Sequence, residues 1–118
     1  MQTLEKRSAD SLKFDIDCSS LLASTETISS VTSVTATPVT TTPLVFGTAT
    51  VNTLAQTYID AYGSTRTAAI GKAVQFNISG GLIATGTQVQ EYIIRALLVT
   101  SLNPAVEATV RLRLNDTP

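Results

Sequence analysis

The chain has 118 residues, of which 14% are charged, and its formal net charge is -1. A chain of that size suits one domain around a single core, and its scattered Lys and Arg lay down no basic surface for nucleic acid. With one cysteine and no histidine, an internal disulfide and a metal centre built from Cys and His are both excluded.

Hydrophobic residues make up 43% of the chain, which sets it apart from disordered sequences. Abundant Thr, Val and Ile favour strands, because β-branched side chains suit a pleated sheet and lose rotamer freedom in a helix. The N-terminal residues contain no long apolar stretch, and no run reaches the ~18 apolar residues that cross a bilayer. A soluble protein with neither leader nor anchor, and without a membrane partner, is expected.

Residues 1 to 11 are polar and mixed in charge, and Leu4 is their only large apolar side chain after the initiator. They read as an N-terminal arm outside the core, removable without loss of the fold and ordered only against a partner. Leu4 and Arg7 are its candidate contact residues. Residues 12 to 118 are expected to form the folded domain.

From Lys13 the pattern alternates, with Phe14, Ile16 and Cys18 on one face and Lys13, Asp15 and Asp17 on the other, which predicts a half-buried strand. ETISSVTSVTATP predicts a second strand that Pro38 ends. A third is expected from Leu44 to Val51, with Gly47 as a bulge. In NTLAQTYIDAYGSTRTAAIGK, residues 52 to 72, Leu54, Tyr58, Ile59 and Tyr62 fall near helical spacing and Gly63 could cap the C-terminus, so a short helical insertion is the expectation there.

AVQFNIS alternates again, and Gly80-Gly81 supplies a turn. QVQEYIIRALLVTS is apolar on both parities, as in a strand covered on both faces or a short buried helix. VEATVRLRL closes with Ala108, Val110, Leu112 and Leu114 set against Glu107, Thr109, Arg111 and Arg113. The sum predicts an all-β protein, an immunoglobulin-like antiparallel β-sandwich.

Asp15 and Asp17 lie at i and i+2 of a strand, on one face and about 7 Å apart. Calcium needs six to eight oxygens, and no run of further acids follows, so the pair reads as a solvated or partner-facing surface. Cys18 has no histidine to activate it and reads as a small buried hydrophobe. No G-x-S-x-G elbow, triad histidine or S-x-x-K pair supports a serine hydrolase. GLIATG and SGG lack the spacing and the Lys-Ser/Thr ending of nucleotide loops. Asn77-Ile78-Ser79 matches the glycosylation pattern but falls in a strand. Arg111 and Arg113 share their face with Glu107, an arrangement that guards a sheet against aggregation or contacts a partner. No enzymatic activity, cofactor or metal is expected.

FDIDCSSLLASTETISS resembles the opening of small tailed-bacteriophage virion proteins of the fibre-to-tail adaptor kind. AVQFNISGGLIATGTQVQEYIIRALLVTS and VEATVRLRL are similar to that family's strand, Gly-Gly turn, long strand and closing strand, with residues 52 to 72 as an insertion. The resemblance implies a non-enzymatic immunoglobulin-like virion component whose partners are other virion proteins or further copies of itself. Two roles fit it: a capsid decoration or cement protein bridging shell subunits, and a fibre-to-tail adaptor at the neck or tail. A β-sandwich binding module unrelated to phage is the third reading.

Overall fold

Alternation of apolar and polar residues places most of the strands. The computed structural model describes residues 2–59, 62–83 and 89–116. Its strands are β1 (Gln2–Lys6), β2 (Leu12–Asp17), β3 (Ile28–Thr37), β4 (Leu44–Phe46), β5 (Thr50–Val51), β6 (Gln56–Ile59), β7 (Thr65–Ala68), β8 (Ala73–Gly80), β9 (Val89–Thr100) and β10 (Val106–Asn115). A single 3-10 turn, Ser19–Leu21, follows β2.

One sheet runs β1-β10-β9-β3 and the other β2-β8-β4, with β5 also paired to β8. Their inner faces meet in one core: Ile94, Leu98, Val110, Leu112 and Leu114 from the first sheet close on Ile16, Val74, Phe76 and Ile78 from the second. The order is that of an immunoglobulin-like sandwich, in which the last two strands, β9 and β10, share a sheet with the third strand, while β2 pairs with β8 in the other. The expected all-β fold is therefore present.

Three expectations need correction. Residues 2–6 are not an arm but β1, paired in parallel with β10 from Gln2 opposite Val110 to Lys6 opposite Leu114. The sandwich is accordingly mixed rather than wholly antiparallel. Leu4, only 7% exposed, belongs to the core and is unavailable to a partner. Lys6 is buried beside it, its stem packed inward while Nζ donates to the carbonyls of Arg7, Ser8 and Asp10 at 2.8, 3.3 and 2.9 Å. Burial lowers the pKa of this ammonium, and the charges of Asp10 and Asp116 oppose the shift.

The second correction concerns residues 52 to 72. Instead of a helix, β6 and β7 form an antiparallel hairpin, with Gln56 opposite Ala68 and Ile59 opposite Thr65; residues 60 and 61 lie outside the described set. The helical stripe is not a buried face: Leu54, Ile59 and Tyr62 are exposed, Tyr62 at 92%, and Tyr58 alone is half-buried. Thr57, Ile59, Thr65 and Thr67 are β-branched and suit a ladder. Gly63, at φ +79°, serves the hairpin connection rather than a helix cap.

Third, the stretch from Leu44 to Val51 splits in two. Gly47 stands in the gap and donates its N–H to the Asn77 carbonyl at 2.9 Å. The Gly80-Gly81 turn matches expectation: both residues have positive φ, and a Cβ at Gly80 would lie 2.6 Å from the Pro43 carbonyl oxygen. In β9 the residues Tyr92, Ile94, Ala96 and Leu98 are buried, while Ile93, Leu97 and Val99 on the other face are only half-buried. Residues 84 to 88, which include parts of GLIATG and of the run before β9, lie outside the described residues.

The turn into β3 is organised by Glu26, whose Oε2 accepts from Thr100 Oγ1 and from Asn103 Nδ2 (2.8 Å), while Oε1 accepts from the Ala23 N–H at 3.0 Å. Lys72 Nζ closes the same turn, donating to the carbonyls of Ala23, Ser24 and Glu26. The hydrogen bonds from Thr100, Ala23 and Asn103, with the nearby Lys72 charge, hold the Glu26 carboxyl below its ordinary 4.5 despite burial. A depressed folded-state pKa stabilises the fold above the unfolded value and ceases to do so as pH falls through the folded value. Acidification below about 4.5 should therefore lower the melting temperature. Glu26→Gln should melt lower at neutral pH and show a smaller drop on acidification. An unchanged acid response would place the effect on other carboxylates.

Candidate functional site

Three surfaces carry the polar and apolar groups from which a site is built. The largest is a groove of about 900 Å³ between the β6–β7 hairpin and the strands β1, β2 and β10, with Asp17, Ser19, Leu21, Tyr58, Tyr62 and Arg66 among its lining. β2 ends at Asp17 and turns directly into the Ser19–Leu21 turn, so the carboxylate accepts from the Ser19 N–H at 2.9 Å and its hydroxyl at 2.5 Å. The hairpin brings Tyr58 across, and its hydroxyl donates to Asp17 Oδ2 at 2.6 Å. Burial alone would raise the Asp17 pKa, but the bonds from Ser19 and Tyr58 and the charge of Arg66 outweigh it and hold the carboxyl low. An ionised carboxylate engaged in this way latches the hairpin to β2 and is a poor general base.

Asp15, on the same face, is half-buried; its Oδ1 is the one buried side-chain polar atom without a hydrogen-bond partner among the described residues. Gln2 from β1 spans the two acids, its Nε2 donating to the Asp15 carbonyl at 2.9 Å while its Oε1 accepts from the Asp17 N–H at 3.1 Å. The amide thereby ties the edge of one sheet to the edge of the other. The Asp pair is less solvated than its sequence pattern suggests. Among the described residues there is no group of three or more potential metal-ligating side chains.

The second surface is the outer face of the β1-β10-β9-β3 sheet. Register puts Glu5, Arg113 and Glu91 in one row and Thr3, Arg111 and Ile93 in the next. Arg111 pairs with Glu91 at 3.8 Å and Arg95 with Glu107 at 3.5 Å. Exposed pairs of this kind add ~0–1 kcal/mol each, so their weight lies in charge pattern rather than stability. Half-buried Ile93, Leu97 and Val99 share this face.

The third is a trough of about 320 Å³ beside β3, lined by Val34, Ala36, Pro38, Val39, Leu44 and Phe46.

The structure thus disperses the sequence-derived candidates. Asp15 and Asp17 flank Gln2, Arg111 and Arg113 share the charged sheet face, and Leu4 is interior. Arg7 donates to the Asp116 carbonyl at 3.3 Å, beside the Asp116 carboxylate that accepts from the Ser8 N–H at 2.8 Å and the Ser8 hydroxyl. Sequence reasoning missed Tyr58 and Arg66, which come to Asp17 only because β6 pairs with β7. It also missed the trough, which exists only because Leu44 and Phe46 come to lie beside β3.

Cys18 is fully buried, with its thiol 3.7 Å from the Ile16 carbonyl. Burial, helped by the Asp17 charge, pushes its pKa up to about 12. A bulky thiol reagent should leave the native protein unlabelled at mildly alkaline pH and react only as fast as the chain unfolds. Rapid labelling under native conditions would contradict this burial.

The sandwich and its surfaces define an all-β domain of immunoglobulin-like order. Comparison with protein-family models, curated proteins and solved structures finds no match.

Proposed function

We propose that the protein is a non-enzymatic structural component of a tailed-bacteriophage virion, a decoration protein that bridges subunits of the head shell. The observation that carries this reading is the open outer face of the β1-β10-β9-β3 sheet. The row Glu5, Arg113 and Glu91 and the pairs Arg111–Glu91 and Arg95–Glu107 share this face with half-buried Ile93, Leu97 and Val99. A broad surface of mixed sign with apolar islands suits protein docking, where charge pattern sets specificity and orientation. The stretches that resemble virion proteins fall on β2, the turn after it, the start of β3, β8, β9 and β10, strands that build both sheets. In the large groove Asp17, Ser19 and Tyr58 are engaged with one another, and the only thiol is buried and protonated at neutral pH.

The test is the number of copies in purified particles of the phage encoding it, combined with rebinding to particles lacking it. Hundreds of copies, and rebinding weakened by Arg111→Glu with Arg113→Glu, support the shell role. A single ring of copies supports the fibre-to-tail adaptor instead. Absence from particles would overturn both and leave the non-phage binding module.

A further inference from the structure

β3 ends its sheet, so among the described residues no strand is hydrogen-bonded to one of its edges, although β5 comes close to it. The two halves of that edge differ. In the first half the register with β9 shifts between Ile28 and Ser30 and again between Val31 and Ser33, and such bulges blunt an edge. This half is also tied down: the Ile28 N–H donates to the Gly71 carbonyl at 2.9 Å, and the Gly71 N–H donates to Asn52 at 3.1 Å, next to β5. From Ser33 to Thr37 the register runs without interruption, against Leu97 to Ile93. Alternate residues of this half turn their N–H and C=O groups away from β9.

The trough lies against this regular half. Its far wall is held in place, because Thr40 Oγ1 hydrogen-bonds Tyr92 Oη at 2.9 Å and donates to the Thr42 carbonyl at 2.7 Å, while the Gly81 N–H donates to the Pro43 carbonyl at 3.2 Å. Val39, on the rim, is 85% exposed. A free ladder beside a preformed apolar trough is the geometry of strand addition, in which backbone bonds bind and the trough selects side chains.

We propose that this half-strand is a self-association edge, at which two copies of the chain join β3 to β3, antiparallel, about a two-fold axis at Thr35. The chemistry of the segment fits its own copy. On that axis Thr35 faces Thr35, Ser33 faces Thr37, and Val34 faces Ala36, so hydroxyls meet hydroxyls on the outer side and small apolar groups meet on the inner side. Cross-strand pairs of both kinds stabilise a ladder. The whole of β3, ISSVTSVTAT, carries no charge, so the two-fold places no like charges opposite each other. The joined sheets become continuous, and Val39 is covered by the second copy. This inference goes beyond the virion reading and does not depend on it.

The test is sedimentation or light scattering of the full chain across micromolar concentrations, with hydrogen exchange on the same samples. A concentration-dependent dimer is expected, with exchange slowed in residues 33 to 37. Thr35→Lys sets two ammonium groups against each other at the axis, and Val39→Lys charges the rim. Each should weaken dimerisation at least tenfold, while Leu102→Lys, at an exposed turn elsewhere, should not. Melting at low concentration separates loss of docking from loss of fold, and if Thr35→Lys unfolds the chain, Val39→Lys decides alone. A wild-type chain that stays monomeric, a dimer indifferent to Val39→Lys, or protection gained elsewhere would overturn the proposal.

Discussion

A chain lacking residues 2 to 6 is expected to lose its cooperative unfolding transition at room temperature. β1 covers the open side of β10 along five register pairs. Its removal frees the edge beside Val110, Leu112 and Leu114, all buried, and withdraws both the Leu4 side chain and the Lys6 ammonium that gathers three carbonyls. Leu4→Ala alone should cost about 2–5 kcal/mol, as loss of a buried leucine does. Adding the lost ladder and the newly exposed edge brings the deletion to a size comparable with the ~5–15 kcal/mol total stability of a domain. Thermal unfolding followed by circular dichroism measures it. If the shortened chain melts at the full-length midpoint, β1 is an appendage after all.

Phe76→Ala should be the most damaging single truncation in the second sheet. Phe76 is 2% exposed at the middle of β8, opposite Phe14 on β2 and edge-on to Phe46, with ring centroids 5.7 Å apart at 81°. Deleting a buried aromatic leaves a cavity and costs about 3–5 kcal/mol, and the lost edge-to-face pair contributes ~0.5–1.5 kcal/mol of such an effect. Phe76→Leu retains most of the volume and should cost under about 1.5 kcal/mol. Val39→Ala, on an exposed loop, should stay within about 0.5 kcal/mol. Denaturant melts of the three variants give the order directly, and equal losses for Phe76→Ala and Val39→Ala would refute the assigned core.

Long alternating strands could be read without coordinates because each has one wet and one dry side. In VEATVRLRL the residues Ala108, Val110, Leu112 and Leu114 are all buried, while Glu107, Arg111 and Arg113 are exposed. β1 obeys the same period, with Leu4 and Lys6 inward and Thr3 and Glu5 outward. It escapes a reading of residue types because one of its two buried residues is a lysine, whose ammonium is satisfied by a turn that exists only after folding. The hairpin escapes for the opposite reason. Its Leu54, Tyr58, Ile59 and Tyr62 fall near helical spacing, but most of that stripe is exposed, and local β-branching prevails.

The candidate surfaces were less visible, since each depends on pairing distant segments. Asp17 and Tyr58 are 41 positions apart. The register of β10 beside both β1 and β9 brings Glu5 and Glu91 to either side of Arg113. Period two reports which side of a strand a residue occupies and says nothing about which strand lies next to it.

The parallel pairing of β1 with β10 has a mechanical consequence. The chain enters this ladder at Gln2, beside Val110, and leaves it past Leu114, beside Lys6. Tension applied to the two ends of the chain therefore drags the strands past each other along their length, loading every hydrogen bond between Gln2 and Lys6 at once. An antiparallel terminal pair, pulled from the same end, would open one bond at a time like a zip. The domain should accordingly yield abruptly and at high force when stretched from its ends, with β1 and β10 as the clasp that must fail first.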